Sequence, residues 1–316
     1  MGRTPLALLM TAGLLLFGSL SSNAQDEATK KEFETQYTQI SQEIVKGVIT
    51  DSGKVADTDF KYVSILGKEG KIDQWAGEVK KTTSLFKAPE SKLTLKDISL
   101  KGDTATAVFN TLFTGEGTIA DGRSGMLGFQ ITERTLWSKA SGAWKLKAVK
   151  HVWQESRIDK RLIPFKTAMG DEDVTKVIQQ TYGLLSDIYT KQDWDALEKI
   201  LPEDLPVTDI NGQALSKFDL LERLRAGARL LINPVVFFSI LQMGHEGDTI
   251  KVARLATIIA DVKLPGGAMG RLQYTNVARD TFVKSEKTWV SKKTEELHAD
   301  AALDGKPLPL SLLKGM

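Results

Sequence analysis

Three histidines are the residues of this sequence best suited to acid–base chemistry, and His151 is the strongest candidate among them. It stands in KAVKHVW, where the alternation of apolar and polar residues predicts a strand. A neutral imidazole in a pocket can act as a general base or as a polar anchor for a ligand. The alternative is a structural histidine that is hydrogen-bonded to a neighbour at the strand end. The alternation predicts one shared face for Val149, His151 and Trp153.

Two arginines, Arg134 and Arg279, stand in the middle of predicted strands. A buried guanidinium requires an anionic partner, so either residue could orient a carboxylate ligand. The alternative is an internal salt bridge, for which Glu155 and Asp209 are the candidate partners. Asp209 stands in VTDING, and it is a candidate base or a member of a polar turn with Gly212 at its tip.

Aromatic side chains complete the candidate binding site, although their helical and strand spacings are equally typical of core residues. The predicted ligand-binding residues are Tyr37, Trp75, Arg134, His151, Tyr182 and Tyr274. We expect no metal and no cofactor, because the histidines are not spaced as ligands. The sequence also has no glycine-rich phosphate loop between a strand and a helix and no serine nucleophile elbow.

The composition excludes several classes of function. The chain has 316 residues, of which 42 are basic and 40 acidic, and the two signs are interleaved. A nucleic-acid-binding protein usually concentrates its basic residues, so we expect no nucleic-acid partner. Since there is no cysteine, disulfides, thiolate metal sites and a lipidated N-terminal cysteine are excluded.

The first 25 residues have the organisation of a secretory signal peptide. Arg3 is followed by an apolar run over 5–17, and Ser22 and Ala24 suit a cleavage site. The run is shorter than the roughly 20 residues that span a bilayer. We therefore expect cleavage near Ala24, export to the periplasm or the extracellular space, and no membrane association afterwards. A retained membrane anchor is the alternative.

The sequence contains an internal repeat with an offset of 145 residues. GDTATAVF begins at Gly102 and GDTIKVAR at Gly247, and residues 101–164 align over 246–309 without a gap. The alignment has twelve identities, where composition alone would give about four. A period of this length is too long for a solenoid and indicates the duplication of a whole domain.

Each copy begins with helices and ends with strands. Apolar residues at helical spacing predict a long helix over 28–49 and another over 171–201, and shorter helices follow over 71–86 and 216–231. Four strands with period-two alternation then follow in each copy, with Gly-Asp in the turn between the first two. Helices before antiparallel strands predict an α+β fold for each copy.

This pattern resembles the nuclear transport factor 2-like superfamily, in its polyketide cyclase and ketosteroid isomerase-like branch. The segment YGLLSDIYTKQDWDALEKILPEDLPVTDINGQALSKFDLLERL resembles the opening of that branch, and RTLWSKASGAWKLKAVKHVW resembles its last two strands. The resemblance implies two tandem cone-shaped domains, each a curved antiparallel sheet wrapped around a long N-terminal helix with an apolar pocket. Family members pair through their sheets, which here implies intrachain pairing and a monomer.

The predicted organisation is a signal peptide over 1–25, a first domain over 26–160, a linker over 161–170 and a second domain over 171–316. We expect an exported, non-catalytic protein that binds a small apolar or amphipathic molecule. One alternative is an isomerase, cyclase or hydratase that uses His151 and Asp209, although the tyrosine and aspartate positions do not assemble the isomerase site that the resemblance implies. The other alternative is a structural or partner-binding module with filled cavities.

Overall fold

The computed structural model describes residues 20–46, 56–119, 122–140, 142–163, 172–264, 267–285 and 288–310. Residues 1–19 and 164–171, which hold most of the predicted signal peptide and linker, lie outside the described residues. The domain boundaries therefore stay predictions. Within the described ranges, no helix is both long and apolar enough to cross a membrane.

The described residues of the first half form one sheet with two helices. The helices are α1 (Leu20–Lys46) and α2 (Ile72–Thr83). The strands are β1 (Ala56–Val63), β2 (Glu69–Gly70), β3 (Glu90–Lys101), β4 (Thr104–Thr118), β5 (Ser124–Ala140), β6 (Ala143–Ile158) and β7 (Arg161–Leu162). Their order in the sheet is β3-β4-β5-β6-β1-β2, and β7 pairs with β6.

The second half repeats this architecture. The helices are α3 (Glu172–Lys191), α4 (Trp194–Ile200) and α5 (Lys217–Ala228). The strands are β8 (Val207–Thr208), β9 (Ala214–Leu215), β10 (Leu231–Glu246), β11 (Thr249–Lys263), β12 (Met269–Ser285), β13 (Thr288–Leu303) and β14 (Lys306–Pro307). The order is β10-β11-β12-β13-β8-β9, with β14 on β13. The predicted α+β fold with two tandem domains is confirmed.

The repeated Gly-Asp phrase lies in a hairpin turn in both domains, as predicted. Gly102 connects β3 to β4, Gly247 connects β10 to β11, and both have φ +59. This is the left-handed region, which glycine enters without the steric cost that a Cβ carries. The local phrase therefore encodes the same turn twice.

Two features of the fold differ from the prediction. The sheets are mixed, because β1 pairs in parallel with β6 and β8 in parallel with β13. The long connection through a helix and four strands permits this parallel pairing. The helix predicted over 171–201 is interrupted at Gln192, which has φ +55. Asp193 then accepts a hydrogen bond from the backbone N–H of Ala196 at 3.0 Å and caps α4.

A β-bulge in each domain changes which side chains share a face. The register between β5 and β6 shifts between Thr132 and Glu133, and the register between β12 and β13 shifts at the equivalent place. His151 therefore lies opposite Glu133, whereas Trp153 lies opposite Thr132. The prediction that His151 and Trp153 share a face is wrong, because the bulge inserts Val152 as an extra residue.

The two sheets contact each other within the chain, and the contacts repeat with the 145-residue offset. Arg134 donates to the carbonyl oxygen of Ile210 at 2.9 Å, and its equivalent Arg279 donates to that of Ile65 at 3.3 Å. An approximate twofold axis relates the two sheets, and residues near this axis contact their own equivalents in the other domain. Examples are Lys150 with Glu295 at 2.8 Å, and Trp153 stacked with His298 at 6.4 Å between ring centroids. Such reciprocal contacts define a pseudo-twofold interface.

Candidate functional site

The interior of the first domain is filled by its own aromatic side chains. Tyr37 stacks on Phe109 with ring centroids 4.2 Å apart, and Trp75 lies 6.1 Å from Tyr37. All three are buried, together with Phe33, Phe113 and Trp137. The predicted ligand-binding residues Tyr37 and Trp75 thus lie in a packed core.

One carboxyl group lies within this aromatic core. Glu133 is 4% exposed and accepts hydrogen bonds of 2.7 Å from the hydroxyl of Tyr37 and the indole N–H of Trp75. Burial disfavours its charged form and raises the pKa of Glu133 to about 7, while the two hydrogen bonds oppose that rise. The two donors fix the position of the carboxyl group within the aromatic packing.

His151 lies beside this group but has a different environment. It is buried, and burial lowers its pKa to about 4, so the imidazole is neutral at physiological pH. Its Nε2 atom makes no hydrogen bond to the described residues. The side chain is therefore a neutral buried group of the first domain.

The second domain has an open interior because smaller or polar residues replace the aromatic ones. At the 145-residue offset, Leu220 replaces Trp75 and Arg254 replaces Phe109. A cavity of about 510 Å³ opens there, and a second one of about 340 Å³ adjoins it. The two cavities share lining residues that include Tyr189, Leu220, Leu224, Ile258, Tyr274 and Glu296.

A hydrogen-bonded ion pair forms the polar floor of the larger cavity. Asp280 accepts bonds of 2.8 Å from the Tyr182 hydroxyl, the Arg254 Nε–H and the Thr294 hydroxyl. The Arg254 guanidinium also lies over the ring of Phe238, 5.0 Å from its centroid. Burial alone would lower the pKa of Arg254, but the attractions of Asp280, Tyr182 and Tyr189, together with the hydrogen bond to Asp280, outweigh it and raise that pKa. The pair is thus neutralised internally.

Three further polar groups line the cavity without belonging to that pair. Asn276 is 7% exposed, and its Nδ2 atom makes no hydrogen bond of ordinary geometry to the described residues, although the amide lies close enough to the Tyr274 hydroxyl to lower the pKa of that phenol. Burial raises the pKa of Glu296 and that of Tyr274, the latter to about 12. The cavity wall therefore holds a buried amide, a carboxyl group whose charged form is disfavoured by burial, and a phenol hydroxyl.

The structure brings only two of the predicted site residues, Tyr182 and Tyr274, together in this cavity. Arg134 lines a separate cleft between the domains, and His151 lies in the first domain. Asp209 accepts bonds of 2.9 Å from the backbone N–H groups of Asn211 and Gln213, so it holds a turn.

The predicted partners of the arginines are wrong. Arg279 pairs with Glu295 at 2.6 Å, and Glu155 pairs with Arg157. Asp209 pairs with Arg223 at 3.1 Å, and hydrogen bonds from the turn and from Arg223 keep its pKa low despite partial burial. The register explains the difference, because Glu295 lies directly opposite Arg279 on β13.

Arg254, Asn276 and Asp280 were missed by the sequence reasoning. The repeat alignment holds the signal that could have found two of them, since Arg254 aligns with Phe109 and Asn276 with Ile131. A polar residue in place of an apolar one at an inward position indicates a changed interior. In the described residues, no group of three or more His, Asp or Glu side chains could hold a metal ion.

No protein-family model and no curated protein sequence matches the chain. Among solved structures, Aln2 from a Streptomyces species is similar at 17% identity and a TM-score of 0.33, over 40% of this chain and 91% of that one. A putative scytalone dehydratase from Novosphingobium aromaticivorans is similar at 15% identity with a TM-score of 0.34, over 42% of this chain and 90% of that one. A nuclear transport factor 2-like superfamily protein from Salmonella enterica is similar at 20% identity with a TM-score of 0.33, over 46% of this chain and 98% of that one.

The strand order of each domain, with a long helix before the sheet, is the arrangement that the sequence resemblance implies. The chain thus consists of two tandem α+β domains with the strand order and leading helix that the resemblance implies. The likeness concerns the fold, and the function has to be argued from the site.

Proposed function

We propose that the protein is an exported, non-catalytic protein that binds a small amphipathic molecule in the cavity of its second domain. The observation that carries this proposal is a largely apolar cavity with a buried amide, Asn276, in its wall; the Nδ2 atom makes no hydrogen bond of ordinary geometry to the described residues, and its nearest acceptor is the Tyr274 hydroxyl, which lines the same cavity. Buried polar groups are nearly always hydrogen-bonded, so an amide without an ordinary hydrogen bond at a cavity wall favours a partner from outside the protein. Concave, apolar cavities with few polar groups are typical of small-molecule sites.

The first domain has a structural role in this proposal. Its aromatic core supports one half of the pseudo-twofold interface, and the second domain holds the ligand. We propose that the chain is a monomer, since its two sheets already pair with each other. Sedimentation at twice the chain mass would contradict the monomer without affecting the ligand site.

The experiment is a native mass spectrum of the exported protein, purified without denaturation. We expect a mass above that of the mature polypeptide by the mass of one small molecule. The same spectrum gives the start of the mature chain, and cleavage near Ala24 is the expected result for an exported protein.

Two variants give the second domain the residue that stands at the equivalent position of the first domain, Trp75 for Leu220 and Ile131 for Asn276. Leu220→Trp fills the cavity, and Asn276→Ile removes the amide donor. We expect both to lower the occupancy of the bound molecule, the second by about tenfold in affinity for one lost hydrogen bond. Phe218→Trp is the matched control, because Phe218 is on the same helix as Leu220 and is 69% exposed. Full occupancy in the Leu220→Trp variant would refute this site.

A second candidate function is proton-transfer catalysis in the same cavity. Glu296 favours it, because burial raises its pKa towards the range in which a carboxyl group can both take and release a proton. Glu296→Gln distinguishes the two functions. Retained binding with unchanged ligand identity supports the binding protein, whereas accumulation of an unconverted molecule in the variant supports the enzyme.

A further inference from the structure

The cleft between the two domains is open on one side of the pseudo-twofold axis and closed on the other. On the open side it has a volume of about 480 Å³ and is lined by Arg134 and Lys150 from the first domain. The turn over 208–212 of the second domain forms its opposite wall. On the closed side, Ile65 and Leu66 belong to an apolar cluster with Val152 and Leu297.

The turns on the two sides differ at equivalent positions. Gly67 has φ +78, and a Cβ there would overlap the guanidinium of Arg279, so the chain packs directly on that arginine. The equivalent Gly212 has φ +82, and no atom lies within 4 Å of the place of its Cβ. Leu66 fills the closed side, and its equivalent Asn211 is exposed. The pseudo-symmetry is therefore broken by open space around Arg134.

The arginines on the two sides also differ in their charge partners. Arg279 lies opposite Glu295 in the β12–β13 register and forms an ion pair of 2.6 Å with it. Arg134 lies opposite Lys150, the equivalent of Glu295, in the β5–β6 register. Among the described residues, Arg134 donates to the carbonyl oxygen of Ile210 and forms no ion pair. Burial lowers the pKa of Arg134, against the attraction of Asp97.

We propose that the cleft binds a small, singly charged carboxylate, which pairs with Arg134 as Glu295 pairs with Arg279. The pseudo-symmetric half of the interface provides the template, since it shows a carboxylate on the equivalent guanidinium. A half-buried guanidinium is stabilised by such a partner, and its fork of donors suits a carboxylate.

The other charges of the cleft restrict the ligand. Glu295 is already bound to Arg279 and to Lys150, and Asp209 is bound to Arg223. Asp97 remains without an ion pair in the described part of the chain. Its negative charge disfavours ligands with more than one charge, such as phosphates. Glu296 lines both the cleft and the second-domain cavity, whereas Arg134 does not line that cavity. Failure of propionate binding at Arg134 would therefore leave the proposed function standing.

The test uses the full chain, labelled with ¹⁵N, and follows the arginine Nε–Hε signals by NMR during a titration with propionate at constant ionic strength. The Arg134 signal is assigned by its loss in Arg134→Gln, which keeps a donor for the Ile210 carbonyl. We expect a saturable shift of that signal with propionate and none with the neutral propionamide. The matched control Arg271→Gln removes an exposed arginine of β12 and should leave the shift unchanged.

A charge-swapped variant tests the mechanism. Lys150→Glu combined with Glu295→Lys keeps the ion pair on the axis and supplies Arg134 with an internal carboxylate. We expect the affinity for propionate at Arg134 to fall at least about tenfold. Because the swap also removes the carboxylate partner of Arg279, we expect a lower melting temperature, and the titration is run below it, where the NMR spectrum shows a folded protein. The proposal is overturned if the Arg134 signal does not shift saturably in the original protein, or if the swapped variant binds propionate there as tightly.

Discussion

Glu133 provides the sharpest test of how the first domain is built. Its carboxyl group is fully enclosed by Tyr37, Trp75 and their neighbours, and burial raises its pKa from 4.5 to about 7. We predict that Glu133→Gln stabilises the protein at high pH and changes little at low pH. Glutamine can accept from the Trp75 N–H with its oxygen and donate to the Tyr37 hydroxyl with its amide, so the hydrogen bonds are kept.

The sign and size follow from the two pKa values. Between pH 4.5 and 7 the unfolded chain has released the proton of Glu133 and the folded protein still holds it, so the stability of the original protein falls as pH rises. Above pH 7 the difference is constant. The pKa values differ by about 2.5 pH units, which corresponds to about 3 kcal/mol. The variant should therefore gain up to about 3 kcal/mol in relative stability between about pH 4 and 9.

The assay is urea unfolding at a series of pH values, followed by tryptophan fluorescence, with the free energy of unfolding compared between the two proteins. A difference that is independent of pH, or that favours the original protein at high pH, would refute the buried-carboxyl argument. Asp280→Asn is the contrasting variant. It removes a carboxylate that neutralises the buried Arg254, so we expect a loss of about 3–5 kcal/mol at neutral pH.

Three further predictions concern single residues outside the cavity. The pKa of His151 is about 4 in the folded protein and 6.5 in the unfolded chain. The unfolded chain therefore binds a proton first, and the free energy of unfolding falls as pH drops from 6.5 to 4. His151→Gln should remove this loss, which is about 3 kcal/mol, from unfolding curves measured in acid. Gly67→Ala should lower the melting temperature more than Gly212→Ala, since both have positive φ but only Gly67 abuts Arg279; equal losses would contradict that contact. Asp209→Ala should cost about 1–3 kcal/mol in urea unfolding by leaving turn amides unsatisfied, yet leave the mass of the cavity-bound molecule unchanged.

The sequence alone predicted the fold class and the repeat because both depend on local patterns. Helical and strand periodicity follow from which side chains face the core, and the paired Gly-Asp turns require a left-handed glycine at Gly102 and Gly247. Both copies keep these local patterns, so residues that are 145 positions apart occupy equivalent places. The same offset therefore relates the contacts of the interface, where Arg134 and Arg279 make equivalent hydrogen bonds.

The functional interior was decided by the tertiary structure. The extra residue of the bulge between β5 and β6 sets the face on which His151 lies, and the alternation of apolar and polar residues does not reveal such an insertion. Whether a cone is filled or open depends on how side chains from distant segments pack, as Trp75 and Phe109 do in the first domain and Leu220 and Arg254 do not in the second. Packing depends on how the volumes of side chains from distant segments fit together in the fold, and the local pattern of residues along the sequence does not show that fit.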